Sequence, residues 1–151
     1  MELKIEDWGV VNEKMAQKYT VSDPVTGFLV EVTDFGATLV RVQVPDREGH
    51  VSDVTYGHND PDVYVHGGGG TYGAMVGRYA NRIANGTFEL DGETYSLFIN
   101  NANKHSLHGG QLPFHKRFPQ GLREIQPPSG TGVHLSGPDD MFYGVDRGRP
   151  L

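Results

Sequence analysis

The sequence predicts an all-β protein built from antiparallel strands. Few segments carry the apolar i, i+3, i+4 spacing of a long helix, whereas alternation of apolar and polar residues is common. The dipeptide Asp91-Gly92 separates two β-prone runs, which is a strong signal for a hairpin with a two-residue turn. The 151 residues are enough for one ordinary domain.

The first predicted strands lie in the N-terminal third of the chain. Residues 28–33 and 38–44 alternate in character, so each is predicted to be a strand with one buried face. Residues 34–36 form the turn between them. Residues 45–49 have typical turn chemistry, and a short strand is predicted at residues 51–56.

The remaining predicted strands flank the Asp91-Gly92 turn, at residues 87–90 and 93–97. Four consecutive glycines at residues 67–70 predict a flexible loop, because ordering glycine costs the most backbone entropy. We assign residues 1–118 to the folded part. Residues 119–151 are rich in Gly and Pro and are predicted to be a divergent or poorly ordered tail, with at most a short strand near residues 132–135.

Composition excludes several classes of function. The net charge of -6 and the pI near 5.6 argue against a nucleic-acid partner, which requires a basic surface. No stretch is long and apolar enough for a membrane span, so no membrane partner is expected. The chain has no cysteine, and its acidic N-terminus does not resemble a signal peptide. We therefore expect a cytoplasmic protein.

The first polar cluster occupies residues 77–86 and contains two arginines and two asparagines, among them Asn81 and Arg82. Arginine offers a planar fork of donors, and asparagine offers both donors and an acceptor. This combination suits a ligand dense in hydroxyl groups. The alternative is a solvated turn held by local hydrogen bonds.

The second polar cluster, residues 100–110, follows the predicted hairpin directly and contains His105 and His108. His108 precedes two glycines, a sequence that can expose an imidazole on a sharp loop. Because histidine titrates near neutral pH, it can donate or accept a proton there. A zinc site and a structural histidine are the alternatives, and a spacing of three along a strand disfavours zinc.

Other candidate motifs are weak. The glycines at residues 67–70 lack the Gly-Lys-Ser/Thr ending of a phosphate-binding loop, and no Gly-x-Ser-x-Gly elbow is present. The acidic pair Asp139-Asp140 is interpreted as solvated. Trp8, the only tryptophan, could stack on a sugar ring, although packing near the N-terminus is the preferred interpretation.

Taken together, the two clusters resemble those of the aldose 1-epimerases, or galactose mutarotases. The resemblance runs from about residue 35 to about residue 118. It is carried mainly by the Gly-Arg-x-Ala-Asn-Arg-Ile piece at residues 77–83 and the Ser-Leu-His-Gly-Gly piece at residues 106–110. The order and spacing of the pieces match the family, and the two together are quite specific.

The resemblance implies an antiparallel β-sandwich of the galactose mutarotase type and interconversion of the α and β anomers of hexoses such as galactose and glucose. The substrate is then a small aldose sugar, and no cofactor or metal is implied. Asn81 and Arg82 match family positions that hydrogen-bond the sugar. His108 matches a histidine that contacts the sugar near the ring oxygen, and we take it as the candidate catalytic residue.

The resemblance covers only the N-terminal part of the family, so we expect an incomplete sandwich. The family's later catalytic histidine and glutamate motifs are not found in this chain, which leaves His105 and His115 as candidates to replace the base. His115 lies in Pro-Phe-His-Lys, where the family favours Gly-Phe-Asp-Lys. A non-catalytic carbohydrate-binding remnant and an inert fragment remain as alternatives. A half-sandwich would expose an apolar face, so we expect marginal stability.

Overall fold

A computed structural model describes residues 1–66 and 71–118 of the chain. Its main feature is a five-stranded antiparallel sheet whose strands are adjacent in sequence order. The strands are β1 (Glu2–Val11), β2 (Lys14–Asp23), β3 (Phe28–Thr33), β4 (Thr38–Pro45) and β5 (Val51–Asp53). The prediction of an all-β antiparallel protein is therefore confirmed.

Shorter elements follow the sheet. A six-residue helix, α1 (Pro61–His66), is succeeded by β6 (Arg82–Ile83), β7 (Thr87–Leu90), β8 (Glu93–Ser96) and β9 (Ser106–Leu107). β7 and β8 form the predicted hairpin, and β6 pairs with β9. None of the helices in the described part of the chain has the length and apolarity needed to cross a membrane.

The structure adds elements that the sequence did not reveal. β1, β2 and α1 were not predicted, and β5 ends at Asp53 although a strand was predicted to residue 56. The β1–β2 turn uses Asn12 and Glu13, both with positive φ (49° and 64°). Asparagine suits this conformation, but glutamate does not signal it, so the turn was hard to recognise.

One face of the five-stranded sheet carries a row of charged side chains. Glu6, Lys18, Glu31, Arg41 and Asp53 come from five successive strands and alternate in sign. Neighbours in this row form ion pairs with N–O distances of 3.1 to 3.5 Å. The row therefore links all five strands through side chains as well as through backbone hydrogen bonds.

Side chains alternate between the two faces along each strand, so the neighbours of the charged residues lie on the opposite face, and that face is mainly apolar. Val21, Val30 and Val42 are paired across β2, β3 and β4 on this face, and Ile5 on β1 is 51% exposed. The most buried side chains of β3 lie instead on the charged face, where Glu31 is 5% exposed. The expectation of marginal stability from an exposed apolar face stays a prediction.

The hydrophobic core lies where the β1–β2 and β3–β4 turns meet α1. It contains Val11, Ala16, Phe35 and Tyr64, all at most 1% exposed, with Trp8, Val65 and Phe118 packed around it. Trp8 contacts Tyr64 with a ring separation of 5.6 Å and donates its indole N–H to the Asn59 carbonyl. The position of Trp8 fits the packing interpretation.

Several sequence predictions lie outside the described residues. These are the glycine loop at residues 67–70, the tail at residues 119–151 with its short strand near residues 132–135, and the acidic pair Asp139-Asp140. The boundary proposed at residue 118 stays a prediction.

Candidate functional site

The two polar clusters meet through the β6–β9 pair. Arg82 is paired with Leu107 and Ile83 with Ser106, so residues separated by about 25 positions in sequence become neighbours. The ladder continues beyond the strands, because the His108 N–H donates to the Asn81 carbonyl at 3.0 Å. This pairing brings together the three side chains that the sequence singled out.

His108 is held to Asn81 by a second, reciprocal hydrogen bond. The Asn81 N–H donates to Nδ1 of His108 at 3.0 Å. Since Nδ1 is the acceptor, the neutral imidazole carries its proton on Nε2 and offers that N–H to a ligand. Both residues have positive φ (66° for Asn81 and 54° for His108), a conformation that asparagine tolerates and that is uncommon for histidine.

Arg82 lies beside this pair and is oriented by two side-chain oxygens. Its Nε donates to Oδ1 of Asn101 at 2.8 Å, and its Nη1 donates to Oδ1 of Asn81 at 3.0 Å. Two of the five guanidinium N–H groups are thus used within the described residues. Asn81 and Arg82 are both exposed and His108 is half-buried, so a ligand can approach them.

The loop that carries His108 is clamped by Asn100. Its side-chain amide donates to the carbonyls of Leu107 (2.9 Å) and Gly110 (3.0 Å), and its Oδ1 accepts from the Leu107 N–H at 2.7 Å. Gly109 has φ of 95° and passes close to Gly77, where a Cβ would lie 1.9 Å from the Gly77 carbonyl oxygen. Only glycine fits this approach.

His115 lies next to His108, in the second of the two 3₁₀ turns that the described residues contain, Phe114–Lys116. The two imidazole rings meet edge to face, with centroids 6.4 Å apart. His115 is 9% exposed, and burial lowers the pKa of its imidazole, with smaller contributions from the positive charge of Lys116 and from His108. Burial therefore favours the neutral form of His115, which lies next to the candidate ligand-binding histidine.

His105, the other histidine of the second cluster, has a different partner. Its Nδ1 accepts from the Asn85 N–H at 3.2 Å, and its carbonyl accepts from the N–H groups of Asn100 and Asn101. The first bond joins the segment before β7 to the loop at residues 100–105, and the other two lie within that loop. Within the described residues, these hydrogen bonds do not connect His105 with Asn81, Arg82 or His108, and its suggested role as a replacement base stays a prediction.

Among the described residues, three potential metal ligands come together only at Asp46, Glu48 and His50. All three side chains are exposed, and Asp46 serves as the acceptor for the turn, taking hydrogen bonds from the N–H groups of Glu48 and His50. His105 and His108 do not belong to this group, and no third potential ligand joins them among the described residues. The structure thus gives no support to the zinc interpretation of these two histidines.

A shallow cavity occurs elsewhere on the protein. It is lined by Leu39, Thr55, Tyr56, Gly57, Tyr72 and Gly73, and shares no residue with the Asn81, Arg82 and His108 cluster. Its lining is mainly apolar and contains no carboxylate or imidazole, whereas the cluster offers directed donors. We therefore take the cluster as the candidate site, on chemistry rather than on concavity.

The sequence did not reveal the individual roles of two residues at the site. Asn100 and Asn101 were recognised only as members of a polar segment, yet Asn100 clamps the His108 loop and Asn101 orients Arg82. Both contacts depend on the β6–β9 pairing. Nothing in the local sequence distinguishes these asparagines from those of an ordinary turn.

Comparison with known proteins places this geometry in context. The family model described as aldose 1-epimerase matches residues 17–118. The chain is 44% identical over 105 residues to a probable aldose 1-epimerase of Arthroderma benhamiae, covering 67% of this chain and 23% of that protein. It is 46% identical over 87 residues to the galactose mutarotase of Bos taurus, covering 58% and 25% respectively.

Two solved structures resemble the fold. The galactose 1-epimerase of Lactobacillus acidophilus aligns with a TM-score of 0.64 at 23% identity, over 78% of this chain and 32% of that chain. A GalM/aldose epimerase homologue of C. elegans aligns with a TM-score of 0.58 at 33% identity, over 66% and 30%. The predicted fold type is thereby confirmed.

The chain spans about a quarter of the length of the curated relatives it matches. The family model nevertheless covers well over half of this chain, including both polar clusters. The match to the family model shows the family, and the shared fold agrees with it. The chain belongs to the aldose 1-epimerase family.

Proposed function

We propose that this chain carries the sugar-binding part of an aldose 1-epimerase, an isomerase that interconverts the α and β anomers of hexoses such as galactose and glucose. The observation that supports this proposal most strongly is the hydrogen-bonded unit of Asn81, Arg82 and His108. The similar proteins, which include galactose mutarotases, support the same substrate class.

The donors left over in this unit suit a sugar. Within the described residues, the recorded hydrogen bonds leave three N–H groups of Arg82, the amide of Asn81 and Nε2–H of His108 for a ligand. A pyranose presents hydroxyl and ring oxygens with exposed lone pairs. Donors aimed at the ring oxygen also stabilise the negative charge that develops there when the ring opens.

The proposed reaction is a pair of proton transfers. A base takes the proton of the C1 hydroxyl, the O–H electron pair forms the C1 carbonyl, and the bond from C1 to the ring oxygen breaks. The ring oxygen receives a proton from a general acid, and we place Nε2–H of His108 at that oxygen as a hydrogen-bond donor that stabilises the charge developing there. Rotation about C1–C2 and ring closure by the reverse steps give either anomer. General acid–base assistance of this kind is typically worth about 10²–10⁴-fold.

The alternative is a carbohydrate-binding protein without turnover. In the part of the chain that the structure describes, these hydrogen bonds join Asn81, Arg82 and His108 to one another and to Asn101, and they include no carboxylate. A ligand shelf of donors binds a sugar but does not remove the C1 proton. The lack of a carboxylate base among these hydrogen bonds of the described residues therefore supports sugar binding without catalysis as the alternative.

Polarimetry of freshly dissolved α-D-galactose and α-D-glucose tests the proposal. The chain should accelerate the decay of optical rotation, and His108→Ala should abolish the acceleration, whereas the exposed His50→Ala serves as the matched control. Saturation-transfer NMR distinguishes the alternative: binding without acceleration supports the carbohydrate-binding protein. Neither binding nor acceleration would refute both.

The cytoplasmic location stays a prediction. Fractionation of cells that express a tagged full-length chain would test it, and recovery of the chain with the membrane or culture-medium fraction would contradict it.

A further inference from the structure

His115 is placed rigidly with respect to the main sheet. Lys116, its neighbour in the 3₁₀ turn, donates from Nζ to the carbonyls of Val65 (2.7 Å) and Tyr64 (3.2 Å) at the end of α1. On the other side, Gly36 lies so close that a Cβ there would come within 2.7 Å of the His115 carbonyl oxygen. The turn is therefore fixed to the hydrophobic core.

The ring of His108, in contrast, has one recorded hydrogen bond within the described residues, the one that Nδ1 accepts from Asn81. The terminal torsion of histidine is broad and nearly two-fold. A ring flip would exchange Nδ1 with a carbon and break this bond. One hydrogen bond of neutral type contributes only modestly, so a second contact is needed to hold a single orientation.

The second contact is the His115 ring. The two rings are nearly perpendicular, with an interplanar angle of 89° and centroids 6.4 Å apart, inside the range of edge-to-face pairs. His115 is 9% exposed, and its buried Nδ1 has no hydrogen-bond partner among residues 1–66 and 71–118. Among these residues, the edge-to-face pair with His108 is therefore the contact that joins the His115 ring to the site.

We infer that His115 is a positioning residue that fixes the His108 imidazole so that Nε2–H points to the ligand. This inference rests on the proposed function only for the identity of the ligand. Burial lowers the pKa of the His115 imidazole, and the neighbouring Lys116 and His108 lower that pKa further. The lowered pKa favours the neutral form of His115, which packs against His108 without placing a positive charge beside it.

Nitrogen-15 NMR of the imidazole rings tests this inference directly on the full chain. In wild type, His108 should show one dominant tautomer, with unprotonated Nδ1 and protonated Nε2. His115→Ala should produce a mixture of tautomers at His108, and His115→Phe, which retains an aromatic ring, should restore the single tautomer. His50→Ala should leave His108 as in wild type.

The outcome that overturns the inference is an unchanged His108 spectrum in His115→Ala. If that variant does not fold, His115→Gln takes its place, because glutamine fills space without a ring edge. A Gln variant with the wild-type tautomer then overturns the inference. A Gln variant with mixed tautomers, restored in His115→Phe, supports it.

Sugar binding separates this inference from the proposed function. If D-galactose binds to wild type, His115→Ala should weaken its Kd by about two- to tenfold, and His115→Phe should recover most of the loss. An unchanged Kd in His115→Ala contradicts a positioning role. If wild type binds no sugar at all, the proposed function fails, while the NMR comparison still decides whether His115 orients His108.

Discussion

Removal of the Glu31 carboxylate is the sharpest test of what stabilises the sheet. Glu31 lies at the centre of the charged row and is 5% exposed. Its carboxylate forms ion pairs with Lys18 Nζ at 3.1 Å and with Arg41 Nε at 3.5 Å. Thr20 Oγ1 lies at the outer limit of a hydrogen bond, 3.5 Å from the same carboxylate. Glu31→Ala removes the shared partner of two half-buried cations.

The expected loss in the free energy of unfolding is set by the attraction between the charges and the opposing cost of their desolvation. At 3.1 Å and an effective dielectric constant of about 20, the Lys18–Glu31 attraction is about 5 kcal/mol, and desolvation of the ions offsets most of it. Deleting one partner of a buried pair costs about 3–5 kcal/mol, because the other charge is left uncompensated. Glu6 still pairs with Lys18, and Asp53 still pairs with Arg41, so we expect the lower end, about 3 kcal/mol.

Urea unfolding followed by Trp8 fluorescence measures the change in free energy of unfolding. Glu89→Ala is the matched control, because Glu89 is exposed on β7 and lies outside the charged row. The double variant Lys18→Met/Glu31→Leu should recover much of the stability, since apolar residues of similar volume can replace a buried pair. A loss below about 0.5 kcal/mol in Glu31→Ala, equal to an ordinary surface substitution, would refute the reasoning.

Three further predictions concern the core and the site. Tyr64→Phe leaves the His58 N–H without the hydroxyl that accepts it at 2.7 Å, so urea unfolding should show a loss of about 1–3 kcal/mol, and an unchanged midpoint would contradict this. Gly109→Ala strains a residue with φ of 95° by about 1–3 kcal/mol and forces the backbone away from Gly77; galactose titration should show at least about tenfold weaker binding, and wild-type binding would count against the loop geometry. Because burial lowers the pKa of His115 below 6.5, the stability contributed by its neutral form is complete above pH 6.5 and is lost as pH falls through the folded-state pKa; urea unfolding between pH 5 and 8 should show this slope flattened in His115→Gln, and equal slopes would exclude His115 as its source.

The sequence was informative where local chemistry decides the structure. Alternation predicted β3 and β4, and Asp91-Gly92 predicted the β7–β8 hairpin, because Asp91 and Gly92 both adopt the positive φ that the turn requires. β1 escaped notice because the alternation at residues 2–6 is interrupted at residues 7–9, where the register of β1 with β2 also shifts. The β1–β2 turn at residues 12–13 carries no glycine.

At the candidate site, too, the sequence identified individual residues but not the contacts between distant ones. Asn81, Arg82 and His108 were found through the resemblance to a family, and whether they bind sugar stays a prediction. The bond from the Asn81 N–H to His108 could not be predicted, because it joins residues 27 apart through the β6–β9 pair. The contact of His115 with His108 likewise depends on how the 3₁₀ turn is fixed to the core.

Chemical-shift mapping tests the central claim most directly, namely that a sugar binds at the junction of the two polar clusters. The nitrogen-15-labelled chain is titrated with D-galactose, and L-arabinitol, an open-chain polyol, serves as the control. The account predicts saturable shifts at residues 81–82 and 107–109, and none at residues 46–50 or at the cavity lined by Tyr56 and Tyr72. Shifts confined to that cavity, or no saturable shift at residues 81–82 and 107–109, would contradict it.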